Sequence, residues 1–195
     1  MNRSTADRSR QTGDDHLSLV IIIGSVHQGR SAAAAANWFA RLACLHGGFD
    51  VDVIDLAHAH LPAAGPEHNG IRPPAVRELA PWLADADAFA VVTPQGAQGV
   101  PWALRNTVAW FHEEWRAKPV AFVSYGPGCT ADELRQLFSA AGATPVRGAV
   151  DLPGDGEPFD ARGRPLDPGH CEPAAERLLD DLAYWARPLR TARHA

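Results

Sequence analysis

The run Leu17–Ile23 is apolar almost throughout and rich in β-branched residues. It is followed at once by a turn containing Gly24 and Gly29, and then by the alanine-rich stretch 31–43. A strand that is apolar without alternation must be covered on both faces, which happens in parallel sheets flanked by helices. An alanine-rich segment opening on Ser31 is a helix with a serine at its start. Strand, glycine turn and helix in this order therefore commit the chain to an α/β architecture.

The rest of the chain repeats the alternation. Strands are expected at residues 49–56, 86–93, 119–125 and 146–152. Helices are expected at 75–83, 101–116, 130–141 and 173–186, the third opened by Thr130 and Glu133 in a capping-box pattern. Five strands alternating with five helices, joined by right-handed crossovers, make a doubly wound parallel sheet between two helical layers. Five strands favour the order 2-1-3-4-5 of a flavodoxin-like three-layer sandwich. One domain is expected over residues 17–187, with a disordered tail at 1–16 and a second tail at 188–195.

Composition narrows the function classes. The net charge of -5 argues against a general nucleic-acid binder, which needs a basic face. No apolar stretch approaches a membrane span, and the polar start has no signal-peptide pattern, so a soluble cytoplasmic protein is expected. Cys44, Cys129 and Cys171 lie far apart and lack zinc spacing, so incidental thiols are expected.

Ligands of such sheets bind beyond the carboxyl ends of the strands, where the strand order reverses. The turn Gly24-Ser25-Val26-His27-Gln28-Gly29-Arg30-Ser31 falls there. Its glycines let a ligand approach the backbone closely, Ser25 and Ser31 offer hydroxyls, Arg30 a forked cation and His27 a pH-dependent donor. The first amides of the following helix favour an anion. The turn lacks the Gly-Lys-Ser/Thr of a Walker loop and is not GxGxxG.

Three segments resemble the NAD(P)H-dependent FMN reductases, which include azo and quinone reductases. The first is 23–31, similar to the family's Gly-Ser-x-Arg-x-Gly-Arg turn. The second is 92–106, in register with Thr-Pro-Glu-Tyr-Asn-x-x-x-Pro-x-x-Leu-Lys-Asn. The third is 115–126, close to the family's signature around its fourth strand. The resemblance implies FMN as cofactor, with its phosphate on Ser25, Arg30 and Ser31, and His27 where the family usually has arginine. It implies that Pro94, Gln95, Gly96 and Ala97 run along the isoalloxazine ring, while Tyr125, Gly126 and Gly128 flank its other side. It also implies hydride transfer from NAD(P)H to a quinone, another aromatic acceptor or flavin, in a homodimer or homotetramer.

One departure stands out. The family's Glu-Tyr-Asn is Gln95-Gly96-Ala97. The missing tyrosine removes a ring of the kind that buries about 150–250 Å². Weaker or differently posed flavin binding is expected, and a protein that has left redox chemistry to bind a small molecule is the alternative. Other constellations carry less. His58, His60 and His68 lack metal spacing, and His112-Glu113-Glu114 reads as a solvated helix face. Trp102, Trp110, Phe111 and Trp115 read as a core or subunit-packing stripe. No nucleophile elbow or general acid–base pair stands out, which suits a cofactor-borne reaction.

Overall fold

The computed structural model describes residues 16–25, 30–63, 65–66, 72–95, 99–126, 131–152 and 157–194, with Arg30 described by its backbone alone. Strand β1 (Leu17–Ile23) lies inside the sheet, and six of its seven residues are buried. It leads to α1 (Arg30–His46), β2 (Phe49–Asp55), α2 (Pro74–Asp85), β3 (Ala88–Pro94), α3 (Trp102–Trp110), β4 (Pro119–Tyr125), α4 (Ala131–Ala140), β5 (Thr144–Leu152) and α5 (Pro168–Arg193). The five strands form one sheet in the order β2-β1-β3-β4-β5, and every pair is parallel. The sandwich expected from the sequence is the one observed.

Burial tracks position in the sheet. All of β3 but Pro94, and all of β4 but Tyr125, are buried. Of the edge strand β2 only Phe49 is buried; it carries Asp50, Asp52 and Asp55, and charges on an edge discourage pairing with another chain. The other edge, β5, breaks register with β4 between Val120 and Phe122, a bulge that sharpens the local twist.

Two cores flank the sheet. Beneath α1 and α5, Ala35, Ala36 and Ala43 are fully buried, so α1 approaches the strands closely, while Trp38 and Phe39 fill the space beside them. Full burial of an aromatic of that size contributes about 1.5–3 kcal/mol. On the opposite face, Trp115 stands edge-on to Phe89 at 4.7 Å and to Phe138 at 5.3 Å.

The structure corrects three sequence expectations about elements. Helix α3 ends at Trp110, not near residue 116. Successive turns follow and end at Ala117 with φ 52, its N–H donating to Gly142 O. This path delivers Trp115 into the core and brings the chain back to the base of β4. Helix α5 starts five residues before Pro173, because the Asp167 side chain accepts from the His170 N–H and Pro168 sits in the first turn. It also runs through Pro188 to Arg193, across the span 188–195 expected as a tail.

What holds that helical end is electrostatic. Arg193 donates to Asp87 at 2.9 Å and to Ala117 O at 2.7 Å, and Arg190 donates to His16 O at 2.9 Å. Beside them the Lys118 ammonium donates to Leu83 O and Ala84 O at the end of α2, and lies over the Phe89 ring. Burial, with Arg193 nearby, lowers the Lys118 pKa to about 8.

Candidate functional site at the carboxyl ends of the strands

The crossing point of the sheet lies between β1 and β3. There the Gly24 N–H donates to Val92 O at 2.8 Å, which extends the β1–β3 ladder by one step. A Cβ on Gly24 would come within 2.5 Å of the Leu104 side chain. Gly24 therefore allows the close approach of α3.

Ser25 is buried at 7% exposure, and its side chain is hydrogen-bonded to Tyr125 at the end of β4. Burial raises the Tyr125 pKa, and the bond with Ser25 acts the other way. The phenol is thus a neutral group beside the turn that follows β1. Ser31 occupies the first turn of α1, which contains no acidic residue of its own. Its hydroxyl donates to the Glu157 carboxylate at 3.2 Å, brought in from the segment between β5 and α5. That segment is seated on α1 by Phe159 against Trp38 and by Arg41 donating to Gly163 O at 3.0 Å. His27 and the side chain of Arg30 lie outside the described residues.

The second half of the site is formed where β3 and β4 end. The Gln95 N–H donates to Tyr125 O at 2.7 Å. The Gln95 side-chain amide donates to Ser124 Oγ at 2.5 Å and to Asp151 Oδ1 at 2.6 Å. Gly126 has φ 89, a conformation that favours glycine and turns the chain away as β4 ends. Pro94, Gln95, Tyr125 and Gly126 are all half-buried beside these contacts. Gly96, Ala97 and Gly128 lie outside the described residues, as does Thr130 of the expected capping box. Its partner Glu133 reaches instead toward Arg105 and the Val100 N–H, both at 3.4 Å.

Three residues of this region escape a reading of the sequence. Ser124 reads as packing, yet it bonds to Gln95 and Asp151. Asp151 carries one signal, a carboxylate next to the last residue of its strand. Glu157 carries none, because its meeting with Ser31 spans 126 residues of chain.

The remaining candidates separate clearly. His58 is exposed and bonded to Asp55 at 3.1 Å, and the described residues hold no group of three metal-ligating side chains. Glu114 is not a solvated residue as expected: it is 8% exposed and paired with Arg72 at 2.5 Å. Trp110, Phe111 and Trp115 are core, whereas Trp102 is 55% exposed. Trp102 and His60 border a cavity of about 220 Å³ with Leu56, Leu61, Ala103 and Asn106. Among the described residues no helix is long and apolar enough to cross a membrane.

A five-stranded parallel sheet in this order, with helices on both faces, defines a flavodoxin-like protein. The chain belongs to the NADPH-dependent FMN reductase family, whose model matches residues 17–156, and is thus an oxidoreductase of a family using FMN and NAD(P)H. It is 30% identical to an NAD(P)H-dependent FMN reductase of Schizosaccharomyces pombe over 164 residues, which cover 81% of this chain and 80% of that protein. It is 25% identical to a 2-hydroxy-1,4-benzoquinone reductase of a Burkholderia species over 125 residues, 62% of this chain and 66% of the relative. Among solved structures, the flavoenzyme NAD(P)H:(acceptor) oxidoreductase FerB of Paracoccus denitrificans superposes with a TM-score of 0.69 at 17% identity, over 88% of this chain and 98% of that one.

Proposed function

We propose that the chain uses NAD(P)H to reduce a quinone or another aromatic acceptor through FMN, with free flavin as a further acceptor. The observation that carries this reading is the position of Ser25 and Ser31. Both lie where β1 hands over to α1, and the helix turn there holds no acidic residue. Hydroxyls and unpaired helix amides are the donor set that a phosphate dianion requires, so the residues present fit the group. Ser25, Ser31, the guanidinium of Arg30 and the ring of His27 would hold the phosphate. The backbone of Pro94, Gln95, Gly96 and Ala97 would follow one side of the ring, and Tyr125, Gly126 and Gly128 the other.

FMN, when bound, supplies the hydride relay between nicotinamide and acceptor. The protein's part is pose and charge. The neutral Tyr125 phenol, bonded to Ser25, keeps a negative charge away from the phosphate. Gly96 and Ala97 carry small side chains where the family has tyrosine and asparagine, which suits a flat acceptor. The exposed Trp102 marks the face on which we place a second copy in a homodimer or homotetramer.

Arg30→Ala is expected to weaken FMN binding by about 1.5–3 kcal/mol, the range for a hydrogen bond to a charged group. Titration of the full chain, followed by flavin fluorescence, measures this, and unchanged affinity removes the phosphate assignment. Turnover of NADPH with a quinone, strictly dependent on added FMN, tests the reaction.

A second reading has one observation in its favour. The Gln95 side chain is engaged by Ser124 and Asp151, at the position where the family has the glutamate of its ring segment. A non-redox small-molecule binder would take up an aromatic ligand while its freshly purified form shows no flavin absorbance, even after soaking with FMN.

A further inference from the structure

The ends of β3, β4 and β5 meet in a polar cluster that phosphate binding does not use. Gln95 Nε2 donates to Ser124 Oγ at 2.5 Å and to Asp151 Oδ1 at 2.6 Å, and the Ser124 hydroxyl donates to the same carboxylate oxygen. Ser124 is 3% exposed, so Asp151 is met from the protein side by two neutral donors. The Gln95 N–H is already bound to Tyr125 O at 2.7 Å. Gln95 is thus held by its backbone on β4 and by its side chain on both β4 and β5.

An amide is the group this position requires. A carboxylate has no proton to donate when ionised, and at 95 it would stand against the Asp151 carboxylate as a like charge. Gln95 and Asp151 form a donor–acceptor pair in which neither side chain can change its character alone.

We infer that Asp151 is a positioning residue for the start of the ring-contacting turn: it fixes the Gln95 amide at the end of β3, and through Gln95 the pose of the flavin ring. This rests on the reading that the ring lies along that turn.

The test compares wild type, Gln95→Glu, Asp151→Asn and the double variant Gln95→Glu/Asp151→Asn. FMN affinity is measured by fluorescence titration of the full chain and ring pose by the visible circular dichroism of bound flavin. Gln95→Glu is expected to weaken FMN binding about tenfold or more, as loss of a hydrogen bond to a charged group does. It is also expected to change the dichroic spectrum. In the double variant the amide and the carboxylate have exchanged places, so affinity should return to within about threefold of wild type, and the spectrum with it. Wild-type affinity in Gln95→Glu, or no recovery in the double variant, overturns the inference while leaving the FMN reading intact. A wild-type chain that binds no FMN overturns both. Should Gln95→Glu not fold, Gln95→Met serves in its place, having similar length, no donor and no charge. Loss of FMN affinity then supports the clamp, and wild-type affinity overturns it.

Discussion

The two ends of the sheet are built from similar side chains and used in opposite ways. At the amino-terminal end, Asp87 is 8% exposed and faces the guanidinium of Arg193 at 2.9 Å and that of Arg190 at 3.5 Å. Lys118 fills the adjoining space and gives its protons to two helix carbonyls. Opposite charges meet, and the last helical turn is locked to the sheet. At the carboxyl end, Asp151 and Glu157 receive hydrogen bonds from Gln95, Ser124 and Ser31, and no salt bridge to either carboxylate occurs among the described residues. One end is neutralised and closed. The other keeps neutral donors and negative charge side by side, an arrangement that a ligand can rearrange. Ligands of such sheets bind at the carboxyl ends of the strands, the end that stays open here.

The sharpest way to break this contrast is to remove the carboxylate at the closed end. Asp87→Ala leaves Arg193 half-buried without its partner, and such a loss commonly costs about 3–5 kcal/mol. The urea midpoint should fall accordingly while FMN affinity in the folded protein stays at the wild-type value. A loss of affinity without a loss of stability would show that the two ends are not independent.

The same end should also show itself in the pH dependence of stability. With a pKa lowered to about 8 from 10.5, Lys118 sheds its proton earlier in the folded chain than in the unfolded one. Between those values the unfolded state binds more protons, so stability rises with pH across that window and the gain is lost as pH falls through 8. The contribution amounts to about 3 kcal/mol. Urea titrations at pH 8 and pH 10.5 should reveal it, and Lys118→Met should flatten the difference. Cys171 works in the other direction, because burial pushes its thiol up to about 11 and that stabilisation fades as pH rises through that value.

The smallest effect belongs to the open end. The Glu157 carboxylate stands at the first turn of α1, in the place where a phosphate would compete for Ser31. Glu157→Gln removes a negative charge there and should tighten FMN binding by about 0.3–1 kcal/mol, the scale of a charge at a helix terminus. Riboflavin, which has no phosphate, should bind the variant and the wild type alike. Equal tightening of both ligands would place Glu157 at the ring instead.

What the chain's order of residues determines alone is local. The apolar run Leu17–Ile23 can only be a strand covered on both faces, and the glycine turn with its alanine helix can only return over the sheet. Strand count and handed crossovers then yield the order β2-β1-β3-β4-β5. Packing across the chain decided the rest. Phe111 and Trp115 repeat at helical spacing, but the core beneath β4 drew Trp115 out of the helix. The end of α5 carries two arginines that have no visible purpose until Asp87, 106 residues away from Arg193, comes beneath them. Asp151 and Glu157 gained their roles in the same way, from partners 56 and 126 residues distant. Periodicity and turn chemistry act between neighbours in sequence, whereas a charge finds its counterpart only once the sheet has brought distant strand ends together.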